Sequence, residues 1–159
     1  MTDNPFTHLD AAGSARMVDV TAKQPTVRAA TAAASVRVAP EVVGLLRSGE
    51  VPKGDVLAVA RISGIQAAKK TPELLPLAHV IGVHGCTVDL ELGDGAVDIR
   101  ATVRTADRTG VEMEALTAVS VAALAVIDMV KGLDRSAHIT DVKLLAKEGG
   151  RSGSWVREE

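Results

Sequence analysis

Asp128 and Lys131 stand three residues apart near the end of a stretch, Thr109 to Leu133, that reads as one helix. That spacing puts both side chains on one helix face. A paired carboxylate and ammonium become an acid–base pair when burial and mutual charge move their pKa values. The alternative is a surface salt bridge that contributes little. The flanking Ile127, Met129 and Val130 favour surroundings that are at least partly buried. Glu112 and Glu114 stand at the other end of the stretch. Thr109-Gly110-Val111-Glu112 matches a capping box, with Thr109 as N-cap and Glu112 reaching back to it. Glu114 has no such duty and is the freer candidate for chemistry. Glu114 and Asp128 are fourteen residues apart, about 21 Å along one helix. A small substrate that touches both therefore needs a site built from two subunits.

Other candidates are cations and a histidine. Lys53, in Pro52-Lys53-Gly54-Asp55, lies just before a helix N-terminus, where backbone N–H groups also favour anions such as phosphate. His79 follows the apolar Leu74-Leu75-Pro76-Leu77-Ala78 and reads either as a satisfied core histidine or as a phosphate donor or proton shuttle. Lys69, Lys70, Lys143, Lys147 and Arg151, taken singly, read as solvated surface groups. His8, His84 and His138 show no ligand spacing with one another. The chain has no Walker A loop, no G-x-G-x-x-G after a strand, no H-E-x-x-H and no G-x-S-x-G.

The elements that must position these residues follow from pattern and punctuation. Thr26 to Val38 reads as a strand. Pro40 opens a short helix through Leu46, closed by Ser48-Gly49-Glu50. Asp55 is an N-cap for a helix to about Lys70, and Thr71-Pro72 ends it or starts a short one, Glu73 to Leu77. Thr87 to Leu92 alternates Val88, Leu90 and Leu92 against Asp89 and Glu91. After the hairpin turn Gly93-Asp94-Gly95, Val97, Ile99, Ala101 and Val103 form one face of a returning strand. The long helix comes next, and it carries no charge from Ala115 through Ile127. A helix apolar nearly all round belongs in a core or an interface. Ile139 to Ala146 reads as the last strand. The order strand, helices, strand, strand, helix, strand is the split βαβ pattern, a ferredoxin-like α+β sandwich with an antiparallel sheet and helices on one face. The expected layout is an N-terminal arm over 1–22, one domain over 23–148 and a flexible Gly-rich tail over 149–159.

Composition narrows the function. The 159 residues suffice for one core, and because aromatics are only 1% of them that core is built from Ala, Val, Leu and Ile. A net charge of −2 gives no global sign of a nucleic-acid or membrane binder. The single cysteine, Cys86, excludes an internal disulfide and a multi-thiolate metal site. Met1 to Asp10 lacks the pattern of a signal peptide, and the charge-free stretch is shorter than the roughly 20 residues of a bilayer span. The expectation is a soluble, cytoplasmic protein.

Several blocks together resemble the cyclic pyranopterin monophosphate synthase family, the C-protein family of molybdenum-cofactor biosynthesis. They are Met17-Val18-Asp19-Val20, Lys53-Gly54-Asp55-Val56, the run Ala60 to Lys69, Leu74 to His79, Thr109 to Ala118, Asp128-Met129-Val130-Lys131 and Gly149 to Gly153. The resemblance covers nearly the whole chain. It implies a ferredoxin-like fold assembled as a homohexamer, a trimer of dimers with active sites at subunit interfaces. The implied substrate is (8S)-3′,8-cyclo-7,8-dihydroguanosine 5′-triphosphate, rearranged to cyclic pyranopterin monophosphate with release of pyrophosphate. On the same resemblance Asp128 falls on the catalytic aspartate, and Lys53 and Lys131 fall on the essential lysines. Leu77, Ala78 and His79 match one substrate-binding segment, Met113 and Glu114 another, and Lys69 and Lys147 further basic positions of the pocket. No cofactor is required for such a rearrangement, and the sequence leaves open whether Mg²⁺ accompanies the triphosphate. The chain departs from the family pattern where Leu77-Ala78-His79-Val80 replaces Leu-Cys-His-Pro, where Val130 replaces a frequent Cys and where Ile127 replaces a Tyr. The competing expectation is a catalytically weakened paralogue that binds a purine nucleotide or a pathway partner.

Overall fold

Alternation decides the sheet. In the first strand, Ala30, Ala32, Ala34 and Val36 are buried on one side, because successive strand side chains point to opposite faces. The computed structural model describes residues 7–158. Over these residues the elements are β1 (Thr26–Arg37), α1 (Pro40–Ser48), α2 (Val56–Lys69), α3 (Thr71–Leu74), β2 (Gly85–Gly93), β3 (Ala96–Asp107), α4 (Glu112–Val130), β4 (His138–Glu148) and β5 (Trp155–Val156). The sheet order is β2-β3-β1-β4-β5 with every pairing antiparallel, which is the expected ferredoxin-like split βαβ arrangement. β2 and β3 are joined through Asp94-Gly95, where Gly95 takes φ +72°, a left-handed turn conformation that costs glycine least.

α4 packs across this sheet. Ala115, Ala118, Val119, Ala122, Ala123, Val126 and Val130 are fully buried, and α2 lies alongside on the same side of the sheet. α4 has the length and apolarity of a membrane-crossing helix, but its Ala/Val face is the centre of the core. The small side chains allow close approach. At Gly64 of α2 an added Cβ would stand 2.9 Å from the Ala118 carbonyl oxygen and 3.2 Å from the Ala122 Cβ. The Asp55 side chain accepts from the Ala58 N–H at 2.9 Å, the N-cap expected for α2.

Three local expectations are corrected. The capping box at Thr109 does not form: α4 begins at Glu112, with Val111 at its N-cap position and no side-chain cap. Val111 is fully buried, and its carbonyl accepts the first helical hydrogen bond from the Ala115 N–H at 3.0 Å, so burial of the valine sets the start. The short helix after α2 spans Thr71–Leu74 and not Glu73 to Leu77. β5 lies within the segment expected as a tail and pairs with β4 through Lys147↔Trp155 and Ala146↔Val156. The arm expected over 1–22 falls partly on residues 1–6, outside the described part; from Thr7 onward the chain forms a turn in which Leu9 bridges Ala15.

Candidate active site

Apart from Lys69, the site residues singled out in the sequence fall into two groups at opposite ends of α4. At its C-terminal end the chain turns out of the helix with Leu133 N–H and Asp134 N–H both donating to the Val130 carbonyl. Asp134 then accepts from the Ala39 N–H at 2.8 Å, which ties this end to the β1–α1 junction. Lys131 Nζ donates to Asp128 Oδ1 at 2.7 Å. Lys53 is carried by a tight loop between the buried Val51 and the capped start of α2. Its Nζ donates to the Asp128 backbone carbonyl at 2.7 Å and lies 3.7 Å from Oδ2 of the same residue. The hydrogen bond from Lys131, then the charges of Lys131 and Lys53, hold the Asp128 carboxyl below the usual carboxylate range.

This cluster is not buried, against the expectation drawn from its apolar flanks. The Asp128 and Lys131 side chains are each 61% exposed and that of Lys53 is 49% exposed. On a helix, adjacent residues point about 100° apart, so Val130 is buried while Asp128 faces solvent. Two ammoniums around one carboxylate leave a local excess of positive charge, suited to an anion.

At the other end a cavity of about 700 Å³ lies between the start of α4 and the loop after α3. It is lined by Leu77, Ala78, His79, Met113 and Glu114, and also by Glu112 and His8. The loop turns sharply, Ala78 N–H donating to the Leu75 carbonyl at 3.0 Å. His79 Nε2 lies 2.6 Å from the Val18 carbonyl; since a carbonyl only accepts, Nε2 carries the proton and Nδ1 is left for another partner. Glu114 is 3% exposed, and burial pushes its carboxyl up to about 6, Glu112 adding to the rise and His79 opposing it. Glu112 faces Lys147 of β4, with Nζ 3.8 Å from Oε1, and Lys147 also donates to the Ser152 hydroxyl. Lys147 therefore borders the cavity through Glu112. Lys69 stands apart, exposed at the end of α2 and close enough to Cys86 for its charge to oppose the upward push of burial on that thiol. Among the described residues no group of three or more His, Cys, Asp or Glu side chains could hold a metal ion.

His8 is the titratable cavity residue that the sequence pattern did not single out. No periodicity or spacing marks it, because it reaches the cavity through a turn far away in sequence.

A split βαβ sandwich with a Lys–Asp–Lys cluster and a carboxylate-bearing cavity at opposite ends of one helix defines an α+β protein equipped for acid–base chemistry on an anionic ligand. The chain belongs to the MoaC family, whose pattern it matches over residues 17–150. It is 62% identical over 152 residues to the cyclic pyranopterin monophosphate synthase of Streptomyces coelicolor, covering 96% of this chain and 89% of that protein. It is 58% identical over 162 residues to the synthase of the same name from a Nocardioides species, covering 99% of both chains. The protein of that name from Pelobacter propionicus is 55% identical over 156 residues, covering 97% of this chain and 98% of the other.

Proposed function

We propose that the chain catalyses the rearrangement of (8S)-3′,8-cyclo-7,8-dihydroguanosine 5′-triphosphate to cyclic pyranopterin monophosphate, a phosphorus–oxygen lyase reaction of molybdenum-cofactor biosynthesis that releases pyrophosphate. The observation that carries this reading is the Lys53–Asp128–Lys131 cluster, held at 2.7 Å contacts in a chain 62% identical to a synthase of that name. Opening and re-closing a guanine-derived ring needs several proton transfers, which a carboxylate set between two ammoniums supplies without a redox centre. In this reading Lys131 and Asp128 move protons and Lys53 assists the rearrangement. Closure of the cyclic phosphate is an internal attack of a sugar oxygen on the α-phosphate; the bond from that phosphorus to the bridging oxygen breaks and pyrophosphate leaves with the electron pair. His79, Lys69 and Lys147 neutralise the phosphates as charge develops on the leaving group. Leu77, Ala78, Met113 and Glu114 complete the substrate-binding walls.

The assembly that goes with this reading is a homohexamer, a trimer of dimers, in a cytoplasmic setting. The two groups lie at opposite ends of the 19-residue α4. A substrate that meets both must lie between one copy's Lys53–Asp128–Lys131 cluster and another copy's cavity, which also shields the exposed cluster from water. Incubation of the purified protein with the cyclised dihydro-GTP derivative tests the reaction. Equal yields of pyrophosphate and cyclic-phosphate pterin are expected, without added Mg²⁺ as well as with it. Tight binding with neither product would point instead to a purine-triphosphate binding protein, and turnover of GTP itself would point to a different cyclising lyase.

A further inference from the structure

We infer that His8 is a further substrate-contacting residue, carried into the cavity by a hairpin strap that is anchored on His79. This rests on the reaction proposed above, with the ring of the substrate entering this cavity alongside the phosphate that His79 meets through its free Nδ1. The strap is built and not merely draped. The Asp10 side chain accepts from the Ala12 N–H at 2.9 Å and the Ser14 N–H at 2.8 Å. Asp10 N–H donates to the Ser14 carbonyl at 2.9 Å, and Arg16 N–H donates to the His8 carbonyl at 2.8 Å. Two ties then fix the segment to the body of the fold. His79 donates to the Val18 carbonyl at 2.6 Å, and Arg108 Nε donates to the Lys23 carbonyl at 2.9 Å.

The histidines differ in what their rings already do. The His84 ring accepts from the Ala106 N–H at 3.3 Å, His138 Nδ1 lies 2.9 Å from the Ser136 carbonyl, and His79 is held by Val18. The His8 ring has no hydrogen-bond partner among the described residues and lines the same cavity as Glu114. Lysine and arginine are absent from that lining among the described residues, which leaves His8, His79 and Thr109 as its side-chain donors beside the carboxylates of Glu112 and Glu114. A ring rich in both donors and acceptors, as a reduced guanine derivative is, needs donors as well as the two carboxylates. His79 has one nitrogen committed to the strap, so among the described residues His8 is the cavity imidazole with neither nitrogen engaged.

The test compares the full chain with His8→Ala and His8→Gln, using the cyclised dihydro-GTP derivative in both turnover and calorimetric binding. A lost hydrogen bond to a bound polar ring is expected to weaken binding about ten-fold. His8→Ala is expected to raise KM by about that factor and by more than it lowers kcat, with His8→Gln recovering part of the loss because its amide can still donate. A wild-type protein that turns over the substrate while His8→Ala keeps the wild-type KM and Kd would overturn the role of His8 and leave the reaction standing. Binding without turnover in the wild type, weakened in His8→Ala, would remove the reaction and keep His8 as a ligand contact. No binding of this compound to the wild type would overturn both.

Discussion

At the start of α4, Glu114 is 3% exposed and its carboxyl is pushed up to about 6. At the end of the same helix the Asp128 side chain is 61% exposed and its carboxyl is held below the usual range. The two acids are of nearly equal intrinsic strength, so the difference comes from their surroundings. Burial without a paired ammonium favours the neutral acid, whereas two ammoniums in solvent favour the carboxylate. One helix thus offers a carboxyl in a cavity that keeps its proton up to about pH 6 and one in a cationic cluster that loses it more readily. Its apolar middle, fixed by Ala118 and Ala122 against Gly64, is the spacer that keeps them apart. Groups that act on one ligand from such opposite ends need two copies of the helix.

The largest effects are expected at the exposed end. Lys53→Ala and Asp128→Ala are each expected to lower kcat by about a thousand-fold, the middle of the range for a lost general acid or base. Because both side chains face solvent, the thermal midpoint is expected to move little; a large drop in midpoint would mean that the cluster is structural. A lesion in the spacer should act on both ends at once. Gly64→Val places methyl groups against the Ala118 carbonyl and the Ala122 side chain, and is expected to destabilise the fold by roughly 2 to 3 kcal/mol in urea unfolding. Unchanged stability would show that α2 and α4 can separate freely.

The buried end should show itself in pH. The folded Glu114 carboxyl titrates at about 6 against an ordinary 4.5, so the folded state holds that proton more tightly than the unfolded chain does. Its contribution is fully present below pH 4.5 and is lost as pH rises through 6, a loss of about 2 kcal/mol. Glu114→Gln, which cannot titrate, is expected to remove that slope. A wild-type stability curve already flat from pH 4 to 7 would contradict the desolvation of Glu114. The smallest effect belongs to Glu112 and Lys147, both partly exposed at 3.8 Å. A double-mutant cycle with Glu112→Ala and Lys147→Ala is expected to give a coupling below about 1 kcal/mol that shrinks with salt.

Much of the scaffold was legible in the residues. The alternation of Val88 to Leu92 and Val97 to Val103 and the Asp55 cap follow from short-range rules that tertiary packing did not override. The capping box failed because the burial of Val111 outweighs a solvent-exposed hydrogen bond. Apolar neighbours misled about Asp128, since on a helix sequence neighbours do not share a face. β5 was hidden because a two-residue strand has no period to read. His8 was hidden for the same kind of reason: its place in the cavity depends on a turn and on a carbonyl, Val18, meeting a ring from far along the chain.

Subunit complementation decides whether the two ends of α4 meet only between copies. Asp128→Ala and His79→Ala are each expected to be inactive alone. Dissociated, mixed and reassembled, they are expected to recover about a quarter of wild-type turnover, the share of pockets that receive an intact cluster from one copy and an intact cavity from the other. No recovery, in assemblies shown to contain both variants, would place the two ends in one chain's site and contradict the account.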